Sequence, residues 1–241
     1  MAEPVDPAAV RYARMRWNTP LSEDHAEMLL RRLDIRPGAS LLDLGCGWGE
    51  LLLRAVAGSD GATGVGVDTD TDALERGRLA AAERSLPDVT FVREEATAWQ
   101  KPADRVICLG SSHVLGGTVP ALDILGGLVR PGGRLLFGDA YWQRTPSTEA
   151  VEIFGDQTMS LPDLIEQIRV AGWRVLHFST ADQREWDDFE STWRAARQEW
   201  LLEHPDDPRA DDLRDELDTQ LREYVAVYRS VLGLGYFVLG R

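Results

Sequence analysis

Lysine is nearly missing from this chain: Lys101 is the only one among 241 residues. Acidic residues outnumber basic ones, 40 to 26, for a formal net charge of -14, and no Lys/Arg run interrupts that balance. Such a field repels phosphate backbones and anionic headgroups, so neither a nucleic acid nor a membrane is expected as a partner. No apolar stretch reaches the roughly 18 residues of a membrane span. The first ten residues, MAEPVDPAAV, lack a basic segment ahead of an apolar one and do not read as a secretory signal. Two cysteines, Cys46 and Cys108, make neither a disulfide framework nor a metal site. Two reduced thiols fit a cytoplasmic protein.

What remains is ordinary globular material, 44% hydrophobic, enough for one generous domain over residues 1–241. From residue 22 to about 180, helix and strand patterns alternate. SLLDLG (40–45), ATGVGVD (62–68), VTFVRE (89–94), DRVICLG (104–110) and GRLLFGD (133–139) read as strands separated by helical segments. This rhythm predicts an α/β fold, a doubly wound and mostly parallel sheet with helices on both faces. Residues 1–36 read as an N-terminal helical cap. WRVLHFST (173–180) and the final LGYFVLGR are strand-like, and residues 182–232 between them read as a helical insert. Trp186, Phe189, Trp193, Ala196 and Trp200 share one helical stripe of that insert; Leu213, Leu217, Leu221, Tyr224, Tyr228 and Val231 form another.

The segment LLDLGCGWGE (41–50) ends a strand on Asp43 and then spaces glycines at 45, 47 and 49. A dinucleotide fingerprint would put its third glycine at position 50. Ligands of open parallel sheets sit beyond the carboxyl ends of the strands, where Asp43 and the glycines fall. Asp68 closes the next strand, 23 residues after Gly45, where a carboxylate accepts ribose hydroxyls. Together these features predict a ribose-containing ligand, whereas the glycines alone would also suit a tight turn with positive φ.

LLDLGCGWGE followed by VGVD, with REEATAW, DRVICLGSS and LVRPGGRLLFGDAYW, resembles the class I S-adenosylmethionine-dependent methyltransferases over residues 30 to 140. The aromatic helical insert more loosely resembles small bacterial methyltransferases of unassigned substrate. The resemblance implies a seven-stranded, Rossmann-like sheet whose last strand is antiparallel and inserted beside the sixth. It implies S-adenosylmethionine as cofactor, with Gly45, Cys46, Gly47 and Gly49 close to its amino-acid tail and Asp43 near the ammonium. Asp68 would hold the ribose hydroxyls and Thr69 would pack near the adenine. Glu95 and Ala96 would meet the adenine edge, and Gly110 and Ser111 the methionyl end.

Methyl transfer needs an aligned nucleophile and, where the acceptor carries a proton, a base. His113, in GSSHVLGG (110–117), has the only near-neutral side chain of its loop and is the candidate base; it reads equally as a loop histidine bonded to backbone. No Asp/Asn-Pro-Pro-Tyr motif accompanies it. Asp139, Tyr141 and Trp142 of GDAYW, with Tyr12 and Trp17 upstream, suggest an aromatic pocket for a small-molecule acceptor methylated at oxygen or nitrogen. The insert is expected to wall that pocket, with burial of its aromatic stripe against the sheet or in a dimer as the alternatives. A non-catalytic S-adenosylmethionine-binding protein is one alternative. A nicotinamide-dependent oxidoreductase is another, but with Lys101 as sole lysine the Tyr-x-x-x-Lys pair of short-chain enzymes is impossible. Monomer and homodimer both remain open.

Overall fold

Neighbouring residues of the first strand, β1 (Ser40–Leu44), show how the sheet is layered. Strand side chains alternate between faces. Leu41 packs with Leu52, Leu53, Val56 and Leu74, while Leu42 and Leu44 join Leu122, Leu125, Leu164 and Ile168. The first group brings in α2 (Glu50–Ala57) and α3 (Thr71–Glu83); the second brings in α4 (Thr118–Leu128) and α6 (Leu161–Val170). A strand covered on both faces is mostly apolar, and within β1 the buried Asp43 is the exception.

The computed structural model describes residues 10–241; the first nine residues of the N-terminal decapeptide lie outside them. Besides β1, the sheet contains β2 (Thr63–Asp68), β3 (Val89–Arg93), β4 (Ala103–Leu109), β5 (Val129–Trp142), β6 (Arg174–Thr180) and β7 (Leu232–Gly240). Their order is β3-β2-β1-β4-β5-β7-β6. The β3-β2, β2-β1, β1-β4 and β4-β5 pairs are parallel, and β6 pairs antiparallel with β7. The last strand therefore enters beside the sixth, as the resemblance implies. No helix among the described residues is long and apolar enough to cross a membrane.

The chain divides into two units. One comprises Ser22–Tyr141, Gln157–Thr180 and Leu234–Arg241 and holds the cores described above. Its α1 (Glu23–Leu33) is N-capped by Ser22, which accepts the His25 N–H, and buries Ala26, Leu29 and Leu33.

The other unit comprises Trp142–Asp156, Ala181–Gly233 and the residues up to Leu21. It holds α5 (Thr148–Phe154), α7 (Gln183–Glu203) and α8 (Ala210–Glu223), the last running into a π-helical turn at Tyr224–Tyr228. A capping box between Asp182 and Glu185 starts α7. Trp200, Leu201, Ala210, Leu213 and Leu217 form a small core here. Along α7 the buried line runs through Glu190, Arg194, Arg197 and Trp200, while Trp186, Phe189, Trp193 and Ala196 are half-buried. Charges can occupy that line because they are paired: Arg194 donates to Glu190 at 2.9 Å, and Glu190 also accepts the Tyr228 hydroxyl at 2.9 Å.

Candidate active site

The parallel register brings the carboxyl ends of four strands together. Asp43 pairs with Gly66 of β2 and Ile107 of β4, and Leu109 pairs with Gly138 of β5. Asp43, Asp68, Gly110 and Asp139 are thereby gathered at one end of the sheet. Between β1 and α2 the chain turns through three glycines with φ of 74°, 53° and 66° at positions 45, 47 and 49. At Gly45 a side chain has no room, since its Cβ would lie 2.3 Å from Ser111 Oγ. At Gly47 a Cβ would meet nothing within 4 Å, so this stretch of backbone is open to a ligand.

Asp68 is tied into the same turn. Its Oδ2 accepts the Gly47 N–H at 2.7 Å, and its Oδ1 accepts the N–H groups of Thr69 at 2.7 Å and Asp70 at 3.0 Å. A carboxylate offers about four acceptor sites, so capacity remains for a ligand hydroxyl. Glu50 stands in the first turn of α2 and accepts from Arg54 at 2.8 Å and Arg84 at 2.6 Å. The positive end of that helix thus already faces a carboxylate, which disfavours a ligand phosphate there.

Asp43 is the electrostatic centre of the site. Burial, and secondarily the charge of Asp68, push its carboxyl up to about 8. No ion pair joins it to any described residue. A cation delivered by a ligand would restore its charged form. Burial also raises the Cys46 thiol, as do Asp43 and Asp68, and burial raises Cys108, helped by Asp43 and Asp139. Neither thiol is therefore poised as a nucleophile. The half-buried Cys46 donates to the Gly47 carbonyl at 3.3 Å.

The segment from β4 to α4 is held by Asp139. Its Oδ1 accepts the Ser112 hydroxyl at 2.8 Å and the Ala140 N–H at 2.9 Å, and its Oδ2 accepts the Thr118 hydroxyl at 2.6 Å. Asp139 itself is buried, which raises its carboxyl; those hydrogen bonds and the charge of His113 oppose the rise. His113 is exposed on the 3₁₀ turn Ser112–Leu115, and its imidazole makes no hydrogen bond to a described residue. Ser111 Oγ lies 3.4 Å from the Gly45 carbonyl and 3.3 Å from that of Leu109, joining this segment to the glycine turn. Thr118 was not legible as part of this network. Its place after Gly116-Gly117 signals a helix start, and nothing in the spacing points to Asp139.

The remaining sequence-derived residues are more scattered. Thr69 is exposed, and its carbonyl accepts from Arg93 at 3.3 Å. Glu95 is exposed and precedes the 3₁₀ turn Ala96–Ala98, in which Ala96 is buried. Tyr141 is buried, with its hydroxyl hydrogen-bonded to Thr180; burial raises that phenol. Tyr12, Trp17 and Trp142 belong to the other unit, where Trp142 meets Phe154 edge to face at 6.2 Å.

A doubly wound sheet with this strand order, an open glycine turn, a buried carboxyl lacking a cation and a second carboxylate on the neighbouring strand define a class. The chain belongs to the S-adenosylmethionine-dependent methyltransferases. A methyltransferase domain model matches residues 42–135. YjhP of Escherichia coli K12 is 32% identical over 232 residues, which are 93% of each chain. A SAM-dependent methyltransferase from Geobacter sulfurreducens, in complex with S-adenosyl-L-homocysteine, superposes with a TM-score of 0.87 at 28% identity, covering 99% of both chains. Another from Thiobacillus denitrificans, in complex with the same ligand, gives a TM-score of 0.86 at 28% identity over 97% of this chain and 98% of that one. The cofactor is S-adenosylmethionine.

Proposed function

We propose that this cytoplasmic enzyme transfers the methyl group to an oxygen or nitrogen of a small molecule, with His113 as general base. The observation that carries this reading is the exposed imidazole, unbonded to any described residue, on a turn anchored to Asp139. Bound S-adenosylmethionine supplies a methyl group already activated by its positive sulfur. Asp43 faces the ammonium and Asp68 the ribose hydroxyls; the open backbone at Gly47 admits the amino-acid tail, with Cys46 and Gly49 completing the turn. Thr69, Glu95 and Ala96 flank the adenine, and Gly110 and Ser111 the methionyl chain. Tyr12, Trp17, Asp139, Tyr141 and Trp142 stand as the acceptor-side residues; the bonds of Asp139 suit positioning of the His113 turn. His113 takes the acceptor proton as the nucleophile attacks. The net charge of -14 favours a small acceptor over a nucleic acid, and two free cysteines fit a reducing compartment. A metabolite extract incubated with enzyme and radiolabelled S-adenosylmethionine tests the substrate class. Label confined to protein or RNA would overturn it.

Two variants separate binding from chemistry. Asp68→Ala removes an acceptor of hydrogen bonds worth about 1.5–3 kcal/mol each, so calorimetry should record at least a tenfold loss of S-adenosylhomocysteine affinity. NAD should bind neither form. His113→Ala should lower kcat by about 10²–10⁴ with cofactor affinity nearly unchanged. Normal turnover of the variant at pH 7 would remove His113 from the chemistry.

A further inference from the structure

A pair of arginines in the second unit has no part in the cofactor residues assigned above. Arg197, on the buried line of α7, is only 1% exposed. Its Nη1 donates to Glu216 Oε1 at 2.8 Å and its Nη2 to Gln220 Oε1 at 3.2 Å. Its Nε–H is buried without a partner, and so is that of Arg11. Both guanidiniums lie over one indole: Arg197 Cζ is 4.5 Å and Arg11 Cζ 5.5 Å from the centre of Trp193. Both also approach the same carboxylate oxygen, with Arg11 Nη2 at 4.0 Å from Glu216 Oε1.

Two cations therefore share one half-exposed carboxylate, inside a chain whose net charge is -14. A buried guanidinium with an unmet N–H loses hydration that its present partners only partly replace. Glu216 Oε1 already meets both groups through their Nη atoms, leaving the two Nε–H groups unmet. We propose that Arg11, Arg197 and Trp193 form a binding site for the carboxylate of a small organic acid. The two Nε–H groups would serve as its donors, with the indole beside its apolar body. Two single N–H donors match the two oxygens of a carboxylate and fall short of the oxygens of a phosphate.

The probe is benzoate, titrated into the full-length protein and followed by ¹⁵N NMR at the arginine Nε–H and tryptophan indole signals. The Arg197 Nε–H and Trp193 indole signals should shift saturably with benzoate, and not with neutral benzamide or inorganic phosphate. Arg11→Gln, altering a side chain that is 39% exposed, should keep the fold and weaken benzoate about tenfold or more, as loss of one hydrogen bond to a charged group requires. Arg197→Lys keeps the charge but loses the Nε donor, and should weaken binding too. The proposal fails if benzoate produces no saturable shift or if benzamide matches it. It fails equally if phosphate binds more tightly, or if Arg11→Gln binds benzoate like the wild type.

Discussion

Asp43→Asn should make the unliganded protein more stable at pH 8 while nearly abolishing cofactor binding. The side chain is buried beside Asp68, which holds its carboxyl at about 8 against an ordinary value of 3.8. The folded state therefore binds a proton that the unfolded chain gives up above pH 4. Stability from this group is full below about 4 and falls as pH rises, until it is lost above about 8. Asparagine, which mimics the protonated acid, escapes that loss. Wild type and variant should melt together near pH 4. They should separate progressively up to pH 8, where the variant gains a few kcal/mol, or roughly 5–10 °C. Binding should respond oppositely if Asp43 faces the ammonium of S-adenosylmethionine as proposed, because that ammonium would lose a buried counter-charge. Removing one partner of such a pair costs about 3–5 kcal/mol, or roughly 10²–10⁴-fold in affinity. In the wild type, binding near pH 7 should release a proton, visible as a dependence of calorimetric heat on the buffer's ionisation enthalpy. Equal melting temperatures at pH 8, or undiminished affinity in the variant, would remove Asp43 from this role.

Asp139→Ala should damage catalysis and stability while sparing the cofactor. It leaves the hydroxyls of Ser112 and Thr118 and the N–H of Ala140 without their acceptor. The two hydroxyl bonds to this carboxylate are worth about 1.5–3 kcal/mol each, so with the Ala140 bond also lost a stability loss of at least about 3 kcal/mol is expected. The turn that carries His113 loses its anchor, and kcat should drop at least about tenfold. Affinity for S-adenosylhomocysteine should change only a few-fold, because Asp43 and Asp68 are untouched. Asp139→Asn keeps one acceptor oxygen and should recover part of both losses. If the alanine variant folds and turns over normally in a single-turnover assay, Asp139 does not position the turn.

The layered sheet was legible because its strands are buried on both faces and its helices bear one apolar side. The placement of Asp43, the glycines and Asp68 at one end of the sheet was legible because strand ends and backbone φ both leave marks in the order of residues. GDAYW closes the fifth strand as read, since β5 continues to Trp142; Tyr141 stays within the sheet unit, near Gly235 of β7. The seven-residue α5 is too short to display a period and was missed. Glu190, Arg194 and Arg197 fall outside the apolar stripe read along the insert, yet they are buried. Pairing partners such as Tyr228 and Glu216 lie a whole helix away, and one-dimensional spacing does not register them.

The three amides that hold Asp68 have a kinetic meaning as well. Gly47, Thr69 and Asp70 present their N–H groups to this carboxylate before any ligand arrives. The glycine turn is thus ordered by folding itself, and its conformational entropy is not lost again at encounter. Association at this end of the sheet should then be a collision with a finished surface, limited by diffusion and orientation rather than by waiting for a loop to close. Selectivity among adenosine compounds would be expressed in how long each one stays.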